Sequence, residues 1–250
     1  MGGFMIKVVI PEAKIFKELF ESIGKLVDEV SLNITRDEIF LKAMDISEVA
    51  LIEVHFPKEM FLEFVVDEER SLGFSTSSIQ KVLKHVKKGE NLILESDGEY
   101  VSFHIEGLVR REYKFRNLDV PVPDIPPARL DTRVKAQIIA SIVNNAIQDV
   151  EVVGSSIELE ATSSNELVFR GYGTGVNETR LKPGSTGLIF LEIIEPSKSQ
   201  YDVSYLRNII QLCKVSDTVT LGFSTDSPLL MEFMIGGTGK VRYIMAPASK

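Results

Sequence analysis

The sequence predicts an α+β fold made of one domain duplicated in tandem, each copy carrying two helices packed on antiparallel sheets. Three observations lead there. Helical and strand-like periodicities follow one another in the same order twice along the 250 residues. The stretches "FSTSSIQKVLKHVKKGENLILESDGEYVSFHIEG" (74–107) and "YDVSYLRNIIQLCKVSDTVTLGFSTDSPLLMEFMIGG" (201–237) present helix, strand, turn and strand at similar spacing. A repeat of roughly 120–127 residues is far too long for a solenoid and fits a duplicated domain. At the seam, "NLDVPVPDIPPARL" (117–130) concentrates four of the ten prolines. It divides the chain into domains at 4–116 and 131–250, with 117–130 as connector.

Residues 5–10, "MIKVVI", read as a strand, and Pro11 suits the first turn of a helix. Over 12–27, Ile15, Phe16, Leu19, Phe20, Ile23, Leu26 and Val27 recur at helical spacing and predict one buried face. "EVSLNITRDEIFLKAM" alternates as two strands around a turn near Arg36–Asp37, and "ALIEVHF" alternates again. A second helix is predicted over 76–88, with Ile79, Val82, Leu83 and Val86 inward and Gly89 as its stop. "NLILES", a turn at Asp97-Gly98, "YVSFHIEG" and "VRREYKF" complete the first copy as strands. In the second copy, "TRVKAQIIASIVNNAIQDVEVV" gives a strand and then a helix, with Ile138, Ile142, Val143 and Ala146 inward. "SIELEATSSNELVFRGYG" gives a strand pair. A fourth helix is predicted over 203–214, with Leu206, Ile209, Ile210 and Cys213 inward, and three strands close the chain.

Hydrophobic residues make up 44% and charged residues 26%, the balance of a soluble globular protein. No apolar run approaches the ~20 residues of a membrane helix, and the N-terminus lacks a cleavage-site pattern, so an intracellular protein is expected. Cys213 is the only cysteine, which excludes an internal disulfide and a multi-cysteine zinc site. His55, His85 and His104 have no metal-ligand spacing, and no HExxH, GxSxG or P-loop sequence is present. "GYGTG" (171–175) and "MIGGTGK" (234–240) fall between strands, where hairpins need glycine, rather than ahead of a helix as a phosphate cradle requires. The sequence offers no catalytic constellation, no metal site and no cofactor site.

A net charge of −8 argues against a nucleic-acid partner only if charge is uniform. It is not. The first helix shows Lys14, Lys17 and Lys25 outward; the second shows Lys81, Lys84, Lys87 and Lys88, with His85 nearby; the fourth shows Arg207 and Lys214. The third has no basic residue between Ala136 and Gln148. Lysines without interleaved aromatics or base-reading arginines suit phosphate contacts without sequence specificity.

A duplicated α+β chain with lysine-bearing helices and a proline-containing connector resembles the PCNA-type DNA sliding clamps. "FLKAMD" with "VALIEV" (40–54), "NLDV…DIPP" (117–127) and the terminal "YIMAP" (243–247) carry the resemblance, which covers essentially the whole chain. It implies a ring of three chains around duplex DNA, with helices lining the hole, and Lys14, Lys17, Lys81, Lys84, Lys88, Arg207 and Lys214 facing the duplex. It also implies a non-enzymatic processivity factor that docks DNA polymerase, flap endonuclease, DNA ligase and a clamp loader. Partner peptides would enter a pocket lined by Met44, Val49, Leu51, Pro123, Ile125, Pro126, Pro228, Ile244, Met245, Ala246 and Pro247.

Subunits of the family join by edge strands. The candidates here are "VRREYKF" (109–115), with Arg110, Arg111, Tyr113 and Lys114, and "NETRLKP" (177–183), with Glu178, Arg180 and Lys182. Both carry net positive charge, so self-pairing would oppose like charges, and a heterotrimer of the archaeal kind is the favoured expectation over a homotrimer. The family commonly places basic residues on the third helix, where this chain has Ile142 and Ala146; whether that helix contacts DNA stays open, as does the preferred partner enzyme. The expected location is the cytoplasm, on the nucleoid, or the nucleus in a eukaryote. A checkpoint-type clamp of the same fold and an enzyme whose site is shared between chains remain as alternatives.

Overall fold

The computed structural model describes residues 6–123, 125 and 130–248. The chain forms two compact units, Met1–Ile46 with Ile52–Asp124 and Ile235–Val241, and Ser47–Leu51 with Ile125–Met234 and Arg242–Lys250. In chain order the strands and α-helices of the first copy are β1 (Ile6–Ile10), α1 (Ala13–Ile23), β2 (Glu29–Ile34), β3 (Glu38–Met44), β4 (Ala50–Pro57), β5 (Glu63–Val66), β6 (Arg70–Ser75), α2 (Thr76–Leu83), β7 (Asn91–Ser96), β8 (Tyr100–Glu106) and β9 (Arg111–Arg116). The same grammar then repeats as β10 (Val134–Ile139), α3 (Ala140–Val153), β11 (Ser156–Ala161), β12 (Leu167–Tyr172), β13 (Val176–Leu181), β14 (Leu188–Ile193), β15 (Ser197–Asp202), α4 (Val203–Ile209), β16 (Thr218–Phe223), β17 (Leu229–Ile235) and β18 (Gly239–Met245).

Within the first copy the strand orders are β5-β1-β7-β8-β9 and β4-β3-β2-β6, and within the second β14-β10-β16-β17-β18 and β13-β12-β11-β15. Every strand pair with a described register is antiparallel, as in Ile93↔His104 of β7 and β8 or Glu158↔Arg170 of β11 and β12. The α+β fold is therefore the one the sequence predicts, duplication included.

The helix cores follow the predicted stripes. Phe16, Leu19, Phe20 and Ile23 of α1 and Ile79, Val82 and Leu83 of α2 are buried, each worth roughly 1.5–3 kcal/mol removed from water. The two helices approach closely at Gly24, where a β-carbon would strike the Gln80 amide; that amide instead donates to the Phe20 carbonyl at 3.0 Å.

Three helix boundaries differ from expectation. α1 ends at Ile23 rather than residue 27, because Gly24 opens a turn in which Leu26 N–H bonds the Ile23 carbonyl at 2.9 Å. α2 ends at Leu83 rather than residue 88. Beyond it Val86 N–H bonds Leu83 O at 3.1 Å, the Glu90 carboxylate takes the Lys87 N–H at 2.7 Å, and Gly89 has φ +82. The segment predicted as a fourth helix over 203–214 is α-helical to Ile209 and tightens to a 3-10 turn over Ile210–Lys214. In the third segment Ile138 belongs to β10, and Ile142 is half-buried against Gly187 rather than inward with Val143 and Ala146.

The connector is pinned at both ends, each to its own unit. Asn117 donates its backbone N–H to Glu99 O at 2.8 Å, its side-chain oxygen accepts from Gly73 N–H at 2.8 Å, and Leu118 N–H bonds Gly73 O at 3.0 Å. A side chain at Gly73 would collide with the Leu118 carbonyl, so this approach requires glycine. At the far end Ser224 Oγ donates to Asp131 O at 2.6 Å and accepts from Arg133 N–H at 2.9 Å.

Candidate nucleic-acid and partner interfaces

The lysine-bearing faces fall on the outer sides of helices whose inner sides form the cores. Lys14 and Lys17 are half-buried on α1. Lys81 is exposed on the last turn of α2, Lys84 at its end, and Lys88 in the turn beyond it. None of these five has a carboxylate partner among the described residues. In a chain with 36 acidic and 28 basic residues, cations left unneutralised on neighbouring helices are available to an outside anion.

The second unit is different. Arg207 on α4 is exposed but lies 3.5 Å from Glu151 on α3, and Lys214 donates to Gln211. The outward side of α3 presents Ser141, Asn145, Gln148, Asp149 and Val152, so it adds no cation. Ala146 is 1% exposed and packs inside the unit; it is a core position, and its lack of charge says nothing about a DNA-facing surface. Cys213 also serves packing, its thiol pushed up to about 12 by burial, protonated and unfit as a nucleophile at neutral pH.

Residues expected to line the partner pocket fall in both units. In the first, Met44 is half-buried and Pro123 exposed. In the second, Ile125, Val49, Pro228, Ala246 and Pro247 are all partly accessible. Leu51 (6%), Ile244 (8%) and Met245 (1%) are buried instead, and each is a core position. Ala246 N–H donates to Val49 O at 2.8 Å and Ala248 N–H to Gln200 O at 2.8 Å, which holds the C-terminal segment extended along its unit. Pro126 lies outside the described residues.

Both candidate docking strands sit at sheet ends: β9 terminates the five-stranded sheet of the first unit, and β13 the four-stranded sheet of the second. Their charges are not loose. On the first, Arg110 pairs with Glu106 at 3.3 Å, Arg111 with Glu90 at 2.7 Å and Lys114 with Asp97 at 3.6 Å, while Tyr113 stands opposite Phe103. On the second, Glu178 accepts from Arg170 at 2.8 Å, Arg180 bonds Glu166 at 3.0 Å, and Lys182 lies 2.7 Å from Glu166. The like-charge obstacle expected from the sequence is thus largely cancelled by carboxylates of each strand's own unit. The signal for those partners was the cross-strand register, which the sequence does not display.

His104 is 3% exposed and bonded to Glu95 at 3.0 Å. "GYGTG" and "MIGGTGK" are hairpin turns, between β12 and β13 and between β17 and β18, with Gly236 and Gly237 at φ +58 and +85. No helix among the described residues is long and apolar enough to cross a membrane.

Comparisons with known proteins agree with this architecture. The family described as proliferating cell nuclear antigen, N-terminal domain, matches residues 5–121, and its C-terminal counterpart matches 148–248. "DNA polymerase sliding clamp 1" of Aeropyrum pernix is 37% identical over 244 residues, covering 95% of this chain and 98% of the relative. "DNA polymerase sliding clamp" of Pyrococcus horikoshii is 30% identical over 243 residues, covering 96% and 97%. The solved PCNA of Thermococcus kodakaraensis superposes with a TM-score of 0.90 at 28% identity, covering 97% of this chain and 100% of that one. A chain of the PCNA2-PCNA3 complex of Sulfolobus tokodaii gives 0.91 at 25% identity, covering 98% and 100%.

Proposed function

The chain belongs to the PCNA family and is a DNA sliding clamp subunit, and from that premise we propose how its own residues perform the task. It is a non-enzymatic processivity factor, working with DNA and DNA polymerase. In the proposed reading, three clamp chains close a ring around duplex DNA, using β9 of one and β13 of the next. Lys14, Lys17, Lys81, Lys84 and Lys88 make the main phosphate contacts, with Arg207 and Lys214 secondary. Such contacts are weak, screened over about 8 Å at cellular salt, and carry no sequence information. Enclosure rather than affinity then keeps the clamp on its track. The observation that carries the DNA-facing assignment is the set of five lysines with no described carboxylate partner, in a protein of net charge −8.

Flap endonuclease, DNA ligase and the clamp loader are proposed as further partners, received at Ile125, Val49, Pro228, Ala246 and Pro247. Sister chains rather than copies of this one are proposed as its neighbours. With the strand charges paired internally, that choice rests on the likeness to the PCNA2-PCNA3 complex. Light scattering on the purified chain tests it: a monomer at micromolar concentration that forms a trimer only with sister chains supports the proposal, and a stable trimer of this chain alone contradicts it. The proposed location is the cytoplasm, at the nucleoid.

A further inference from the structure

One row of side chains crosses the whole four-stranded sheet of the second unit, one residue per strand. Glu178 on β13 stands opposite Arg170 on β12, Arg170 opposite Glu158 on β11, and Glu158 opposite Gln200 on β15. The contacts are direct. Arg170 Nε donates to Glu178 at 2.8 Å, its Nη1 to Glu158 at 2.7 Å and to Glu160 at 2.9 Å. Gln200 donates to Glu158 at 3.4 Å, and Lys198 Nζ lies 2.9 Å from the same carboxylate. At the free end Arg180 bonds Glu178 and Glu166, and Lys182 bonds Glu166. The cations Arg170, Arg180, Lys182 and Lys198 balance the carboxylates Glu158, Glu160, Glu166 and Glu178, four against four.

Burial makes the inner rungs strong. Glu158 is 2% exposed, and the Arg170 side chain 15%, so these are charge-assisted bonds in a low-dielectric layer rather than screened surface pairs. Removing one partner would leave a buried charge uncompensated. An edge strand, by contrast, is bonded to its sheet on one side only and is the element most prone to fray or slip. β13 is such a strand, and its outward residues Glu178 and Arg180 are tied into this row.

We propose that Arg170 is a positioning residue for subunit docking: through Glu178 it holds β13 in register on β12, and through Glu158 it anchors that strand to β11 and β15. The row also neutralises the edge, so an incoming strand meets backbone donors and acceptors without a net charge to oppose it. The proposal rests on β13 being the edge that receives the next subunit. Arginine suits the position because its planar fork reaches three carboxylates at once, which the point charge of a lysine does not reproduce.

Hydrogen exchange on the full chain, unassembled and assembled into its ring, tests this with Arg170→Met and Glu178→Gln. In unassembled Arg170→Met, amides of 177–181 should exchange about tenfold faster and by a larger factor than those of β11, and ring association should weaken by about tenfold. Glu178→Gln, which leaves the Arg170–Glu158 pair intact, should show the same local change in smaller degree. Wild-type exchange in β13, wild-type association, or equal acceleration of β11 and β13 would each overturn the proposal; the last makes Arg170 a general stability residue. The docking reading fails separately, if wild-type β13 amides gain no protection on assembly.

Discussion

Glu151 on α3 lies 3.5 Å from Arg207 on α4, so a cation expected to face DNA is shared with a carboxylate of its own unit. The third and fourth helices therefore act together, and the acidic residue sets how much of the arginine's charge is free. Glu151→Gln should release it. The assembled clamp should then gain one phosphate contact, steepening the plot of log affinity against log salt by about 0.9. An unchanged slope in a fluorescence titration would place Arg207 away from the duplex.

Lys81, Lys84 and Lys88 have no such partner among the described residues. Changing all three to alanine should make the same slope shallower by roughly 2 to 3, with the melting temperature unmoved because all three are solvent-exposed. A wild-type slope would remove these residues from the DNA-facing set.

The docking surface separates into accessible and buried members. Ile125 is half-exposed, and Ile125→Asp should abolish binding of a partner peptide without shifting the thermal transition. Met245 is 1% exposed; Met245→Ala should cost about 2–5 kcal/mol of stability from the cavity it leaves. Calorimetry beside peptide titration distinguishes the two. Wild-type peptide affinity in Ile125→Asp would rule this surface out.

The buried rung Glu158 gives a pH signature. Burial works to raise its pKa, but bonds from Lys198, Arg170 and Gln200 outweigh burial and hold it below its ordinary 4.5. A carboxylate depressed in the folded state stabilises above its unfolded pKa, and that stability is lost as pH falls through the folded value. The wild-type melting temperature should therefore drop below about pH 4.5, and Glu158→Gln should flatten part of the drop. Identical acid profiles would show that the row contributes nothing to pH-dependent stability.

Much of this was legible in the sequence, for a physical reason. Helix faces such as Phe16, Leu19 and Phe20 and alternating strands such as "EIFLKAM" announce themselves by period, and the repeat of that grammar revealed the duplication. The resemblance in "NLDV…DIPP" and "YIMAP" then supplied the candidate surfaces. What stayed hidden depends on distant pairing. The Glu12 carboxylate takes the Gly89 N–H in the turn after α2 from 77 positions away, which no local pattern shows. The carboxylates that neutralise Arg111 and Arg180, residues 21 and 14 positions away, meet them only through strand register. Ala146, inward by its period, was matched through the resemblance to a basic position of the family, and its burial supports the inward reading.

Enclosure, not affinity, is proposed to keep this protein on DNA. Retention of the assembled ring on a nicked circular plasmid, before and after linearisation, tests it most directly. The ring, once loaded, should stay on the circle at salt high enough to erase its phosphate contacts, and should be lost when the circle is cut. Equal release from circular and linear DNA would contradict it.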